Sequence, residues 1–236
     1  MNTDRIDFIS AYCDGWCERC AYTSRCSSFA VRAALAMCGD ARDAIELAVG
    51  PPHPVEPQAD AGPVDRFESF ANVELNDEEL TEFCRRHKVR DQQVRSTPLM
   101  QSAWAVGMVA HRWLAARADA VRATADSVLR EALDIVQHDS FLITVKVARA
   151  VRGRYDHEHG ESFDDDPVQN DRNGSAKLAL ICLERSEAAW QVIAGATGDE
   201  TPAAVSVQMA DLRREVERSF PDARAFIRPG FDEPWR

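Results

Sequence analysis

Residues 98–152 read PLMQSAWAVGMVAHRWLAARADAVRATADSVLREALDIVQHDSFLITVKVARAVR. Leu99, Ala103, Val106, Ala110, Trp113 and Leu114 recur every three or four positions, which puts them on one stripe of a helix. Ser96-Thr97-Pro98 supplies a cap and a proline in the first turn. The pattern resumes at Ala120 and runs through Val128, Leu129, Leu133, Val136, Phe141, Leu142, Val145 and Val151. The stretch therefore predicts two long helices with a break near Arg117–Asp119, the second ending at Arg152-Gly153. Nowhere does the chain alternate apolar and polar residues over a strand's length. The expected fold class is all-α: an antiparallel helical bundle over 67–220, with a cysteine-rich helical segment at 1–49 packed on it.

Outward from that stretch, helices are expected over 3–22, 27–38 and 40–49, with Gly39 as a stop. Gly50-Pro51-Pro52-His53-Pro54 opens a linker loop over 50–66. Asn76 precedes Asp77, Glu78 and Glu79, a helix start with acids in its first turn, and that helix is expected to reach Val89. Residues 153–172 are polar and acidic and read as a surface loop. Further helices are expected from Asn173 to Gly195 and from Thr201 to Ser219, with an irregular tail over 221–236. Trp104 and Trp113 are both expected in the core.

Composition narrows the classes. The 236 residues are 45% hydrophobic, and 28 basic against 39 acidic residues leave a net charge of −11. An acidic chain is a poor partner for phosphate backbones and for anionic membrane surfaces, so no nucleic acid and no membrane are expected. The start, MNTDRIDFIS, has neither a basic nor an apolar signal region, and no apolar run approaches the roughly 18 residues of a bilayer span. A cytoplasmic location follows as an expectation, and in that reducing compartment the seven cysteines are expected as thiols.

Four of those cysteines fall in Cys13-Asp-Gly-Trp-Cys17-Glu-Arg-Cys20-Ala-Tyr-Thr-Ser-Arg-Cys26, or Cx3Cx2Cx5C. Four thiolates are the ligand count of a structural zinc or a 4Fe-4S cluster. On one helix Cys13, Cys17 and Cys20 would share a face, about 10 Å apart end to end along the axis. Tetrahedral zinc wants its sulfurs about 3.8 Å apart, so that spread favours the larger cluster. The packing of all ligands into one segment, without a long spacer between two knuckles, favours it again. Gly15 could break the helix and restore zinc. The remaining alternative is four buried thiols with no metal. Arg19 and Arg25 would offset the charge of a cluster and Trp16 would shield it.

The Cx3Cx2C part resembles the motif of radical SAM enzymes over eight residues. Cys26 and the absence of βα alternation separate the chain from that family. The wider N-terminal segment with Trp16, together with NGSAKLALICLERS at 173–186, resembles uncharacterised bacterial proteins, and that resemblance implies no activity.

A helical bundle can also carry carboxylate and histidine ligands or a general base. His111 lies on one long helix, and Glu131, Asp134 and His138 on the next, with Asp134 and His138 four apart on one face. Asp139, Lys146 and Arg149 recur on the same helix, Glu184 and Glu187 on a later one, and His157 and His159 sit in the acidic loop. His111, Asp134, His138 and Glu184 are thus the catalytic candidates, although solvated helix faces account for such charges as well. The leading expectation is a cytoplasmic protein with an iron–sulfur cluster on Cys13, Cys17, Cys20 and Cys26. It would act in electron transfer, in redox sensing or as an accessory to a redox enzyme, with a protein redox partner. The alternatives are a zinc-stapled module that binds a protein or small ligand, and an enzyme with its pocket in the bundle.

Overall fold

The computed structural model describes residues 4–50, 76–160 and 170–232. The chain is all-α. Its described helices are α1 (Ser27–Cys38), α2 (Ala41–Val49), α3 (Asp77–Ser96), α4 (Pro98–Thr124), α5 (Ser127–Glu158), α6 (Asp171–Thr197) and α7 (Glu200–Ser219). Short 3-10 turns lie at Cys17–Arg19, Thr23–Arg25 and Ala223–Ala225. The chain divides into two units, Met1–Arg5 with Tyr22–Arg90 and Ile6–Ala21 with Asp91–Arg236. The expected linker at 51–66, the expected bundle start at 67–75 and the loop stretch 161–169 lie outside the described residues.

In the first unit, α1 and α2 pack on one another. Gly39 ends α1 in the left-handed region (φ 73°), and Asp40 then caps α2 by accepting from the Arg42 and Asp43 amides. Asn76 and Glu79 form a reciprocal cap at α3: the Asn76 side chain accepts from the Glu79 amide at 2.9 Å, and Glu79 accepts from the Asn76 amide at 3.2 Å.

The second unit holds a four-helix ring. α5 packs on α6, α6 on α7, and α4 on both α5 and α7. Thr97, Asp126, Asn170 and Asp199 cap the four helices through their side chains. Leu133, Val136, Ile143, Leu183, Trp190 and Ile193 fill the centre. α4 and α5 cross closely at Gly107, where a Cβ would stand 2.9 Å from Thr144 Oγ1. The Thr144 hydroxyl donates to the Ala103 carbonyl at 3.3 Å, so this buried polar group has a partner.

Several expectations are corrected. Residues 6–21 are not a helix but turns and one 3-10 turn, with Phe8 (φ 58°) and Gly15 (φ 74°) in the left-handed region. Asp14 takes the Trp16 amide (3.1 Å) with its own carboxylate, the local bond that competes with helix. The break between the long helices falls at Ala125-Asp126 rather than Arg117–Asp119, because Ala118 is core and Asp126 caps α5 at the Leu129 amide. α3 runs past Val89 to Ser96, and Asp91 in its last part pairs with Arg152. Gly153 does not end α5. It lets α5 run on to Glu158 past the start of α6, where a Cβ would meet the Arg172 amide nitrogen at 2.8 Å. His157 and His159 therefore belong to the end of α5 rather than to a loop, and His159 stacks on Tyr155. Trp113 is buried and donates from Nε1 to Asp199 (2.8 Å), but Trp104 is 57% exposed and is not core. The described part of the tail is packed: Phe220 and Ala223 are buried, and Lys177 donates to the Phe226 carbonyl and pairs with Asp232.

Candidate functional site

The cysteine segment 6–21 runs along α5 and α6, antiparallel to α5. Ala11, Asp14 with Trp16, and Arg19 meet Arg149, His138, and Glu131 with Asp134 in turn. At its N-terminal end Tyr12 is buried over Gly174, where an added Cβ would stand 2.3 Å from the ring. Its ring meets Phe226 edge-on at 4.8 Å, and its hydroxyl donates to Asp171 at 3.4 Å. Only glycine at 174 admits an aromatic ring so close to a helix backbone.

The centre of the segment is held by charge. Asp139 on α5 is fully buried. It accepts two bonds from the Arg185 guanidinium, at 2.7 and 2.5 Å, and one from the Ser186 hydroxyl at 3.0 Å. The third guanidinium nitrogen, Nη1, donates to Asp14 at 2.7 Å. One arginine thus neutralises a buried carboxylate of the bundle and grips the segment. Burial pushes the Asp14 carboxyl up, but the Arg185 bond, the Trp16 amide and the positive charges of Arg185 and His138 outweigh it and hold it below the usual carboxylate range. Burial pulls the Arg185 guanidinium down, and its bonds to Asp139 and the anions around it more than restore it, so it stays charged.

Trp16 stacks on His138 with centroids 4.3 Å apart and 16° between planes, and the Arg19 guanidinium lies 3.9 Å from its centroid. His138 Nε2 lies 3.0 Å from the Asp14 carbonyl oxygen. A carbonyl only accepts, so Nε2 carries the proton. Arg19 pairs with Glu131 and Asp134, and Arg122 reaches the other oxygen of Asp134 at 2.8 Å. Arg19 and Arg25, expected to offset a cluster's charge, thus already have carboxylate partners, Arg25 pairing with Asp4 at 3.1 Å. Lys146 faces the same stretch; burial, then the charge of Arg149, pulls its amine below the usual lysine value, against the opposing influence of Cys13.

The cysteines have different settings. Cys13, Cys17 and Cys20 belong to the bundle's unit and Cys26 to the other. All four are half-buried, and no disulfide is present among the described residues. The Cys13 thiol lies 3.5 Å from the Ser10 carbonyl oxygen. Cys17 opens a 3-10 turn that Cys20 closes, and Cys26 caps α1, its sulfur accepting from the Phe29 amide at 3.4 Å. Among the described residues no three Cys, His, Asp or Glu side chains are gathered as around a metal ion. The donor chemistry of the four thiols suits a thiolate-bound metal. Cys38 and Cys84 are exposed, and burial, reinforced by Asp139, pushes the Cys182 thiol far up.

The catalytic candidates have separate partners. Asp134 and His138 both meet the cysteine segment but bond to different groups, Asp134 to two arginines and His138 to a backbone carbonyl. Exposed His111 packs against Phe141 at 4.9 Å. Glu184 pairs with Arg224 at 2.6 Å. Asp14, Arg185 and Gly174 were not legible as site residues, although the last two lie in the NGSAKLALICLERS stretch. Comparison with protein-family models, curated proteins and solved structures gives no match to this chain. No helix among the described residues is long and apolar enough to cross a membrane.

Proposed function

We propose that the chain is a cytoplasmic metal-binding protein whose Cys13, Cys17, Cys20 and Cys26 hold an iron–sulfur cluster of the 4Fe-4S type, in electron transfer, redox sensing or service to a redox enzyme. Its partner would be a protein rather than a nucleic acid. What carries the reading is the concentration of four thiols within fourteen residues of sequence, three of them on a segment fastened to a rigid bundle through Tyr12, Asp14, Trp16 and Arg19. A thiolate-bound cluster is held by the protein but closed by the metal, because ligand deprotonation, coordination and local folding are linked. The turns of this segment supply backbone that can draw in round a metal, while its anchors stay put.

One observation favours zinc as the second reading. A cysteine spread too long for zinc needs a continuous helix, and Gly15 at φ 74° with the turn at Cys17–Arg19 replaces that helix. Zinc at four thiolates would be a structural staple, and the function would then lie with the bundle.

The test is the visible absorption of the full chain purified without air. The cluster reading expects broad charge-transfer bands that bleach on reduction and vanish in Cys20→Ala. A colourless protein that carries zinc moves the assignment to the second reading.

A further inference from the structure

We infer that Cys17 and Cys20 form a redox-active dithiol that closes to an intraturn disulfide, an activity that does not depend on which metal, if any, the reduced segment binds. The Cys20 amide donates to the Cys17 carbonyl at 3.2 Å and closes a 3-10 turn. Such a turn brings its end α-carbons within about 7 Å, and disulfides bridge α-carbons about 4.4–6.8 Å apart. In 3-10 geometry positions i and i+3 eclipse one another, so Cys17, which opens the turn, and Cys20, which caps it, stand on the same side of it.

The turn is also held in place. Trp16, just before Cys17, stacks on His138, and Arg19, just before Cys20, pairs with Glu131 and Asp134. Neither anchor is a cysteine, so closing the disulfide need not break the docking. The other cysteines lack this relationship. Cys13 lies outside that turn, before Gly15 at φ 74°, and Cys26 closes a matching 3-10 turn whose other end is Thr23, not a cysteine.

The co-reactant is a low-molecular-weight disulfide of the oxidised-glutathione class. One cysteine, as thiolate, attacks a sulfur of the oxidant and expels one thiol. The second cysteine then attacks the protein sulfur of the mixed disulfide and expels the other. Two protein thiols become one disulfide, two electrons pass to the oxidant, and both protons leave on the released thiols. Were these cysteines also metal ligands, oxidation would remove two of them at once.

The experiment treats reduced full-length protein, with and without prior chelation, with oxidised glutathione, followed by alkylation, trypsin and mass spectrometry. Trypsin cuts after Arg19, so the disulfide appears as peptide 6–19 joined to peptide 20–25. The joined pair is expected in the chelated wild type and in Cys13→Ser, without bound glutathione. It is expected to be lost in Cys17→Ser and in Cys20→Ser, where the remaining thiol carries glutathione. A joined pair that survives in Cys17→Ser, or stable glutathione on both cysteines of the wild type, overturns the proposal. Metal content, read separately on the same samples, reports on the cluster reading alone.

Discussion

The Tyr12 ring lies against the α-carbon of Gly174, so close that a Cβ there would stand 2.3 Å from Cε1 and 2.5 Å from Cδ1. Tyr12 has nowhere to retreat, being buried between Phe226 and Asp171. Gly174→Ala is expected to cost about 1–3 kcal/mol by overpacking, read by urea unfolding. Tyr12→Ala in the same background should restore part of the loss. A Gly174→Ala protein as stable as wild type would mean that the segment does not dock there.

Arg185 is the charged partner of buried Asp139 among the described residues, with the Ser186 hydroxyl as its neutral one. Arg185→Met would strand a buried carboxylate, and a loss of about 3–5 kcal/mol is expected. Arg224, whose pairs with Glu184 and Glu217 are exposed, should cost less than about 1 kcal/mol on truncation to Ala. Equal effects of the two substitutions in denaturant would contradict the assignment of Arg185 as the keystone.

Acid should release the segment. The Asp14 carboxyl is held below its ordinary value in the folded chain, so its contribution is complete above the unfolded value of about 3.9 and is lost as pH falls through the lower folded value. The fluorescence of Trp16, taken as the difference between wild type and Trp16→Phe, is expected to change as pH falls below about 4. Asp14→Asn should show the released signal already at neutral pH. An Asp14→Asn spectrum matching wild type at every pH would show that this carboxylate does not hold Trp16 in place.

The long helices were legible because period and caps agree: Thr97-Pro98 opens α4, and the stripe through Leu133 and Val136 is the core of α5. Asn76 with Glu79 was equally plain. Gly153 misled because a glycine that ends a helix and one that admits a crossing backbone look the same in sequence; the distinction lies in Arg172, nineteen residues on. Residues 6–21 misled because helical spacing of cysteines carries no information about Asp14, whose bonds to Trp16 and Arg185 decide the local backbone. Trp104 is expected inward because, nine residues from Trp113, it makes no stacking platform, yet it sits on the outer side of α4. The four cysteines were found by density. Arg185 was not, because a lone arginine shows its value only when Asp139 and Asp14 are placed on either side of it.

Iron, acid-labile sulfide and zinc per chain, measured on full-length protein purified without air and on Cys20→Ala, bear on the central claim most directly. About four iron and about four sulfide per chain are expected in the wild type, both lost together in the variant. Wild-type protein with neither iron nor zinc would contradict it and leave the motif as thiols alone.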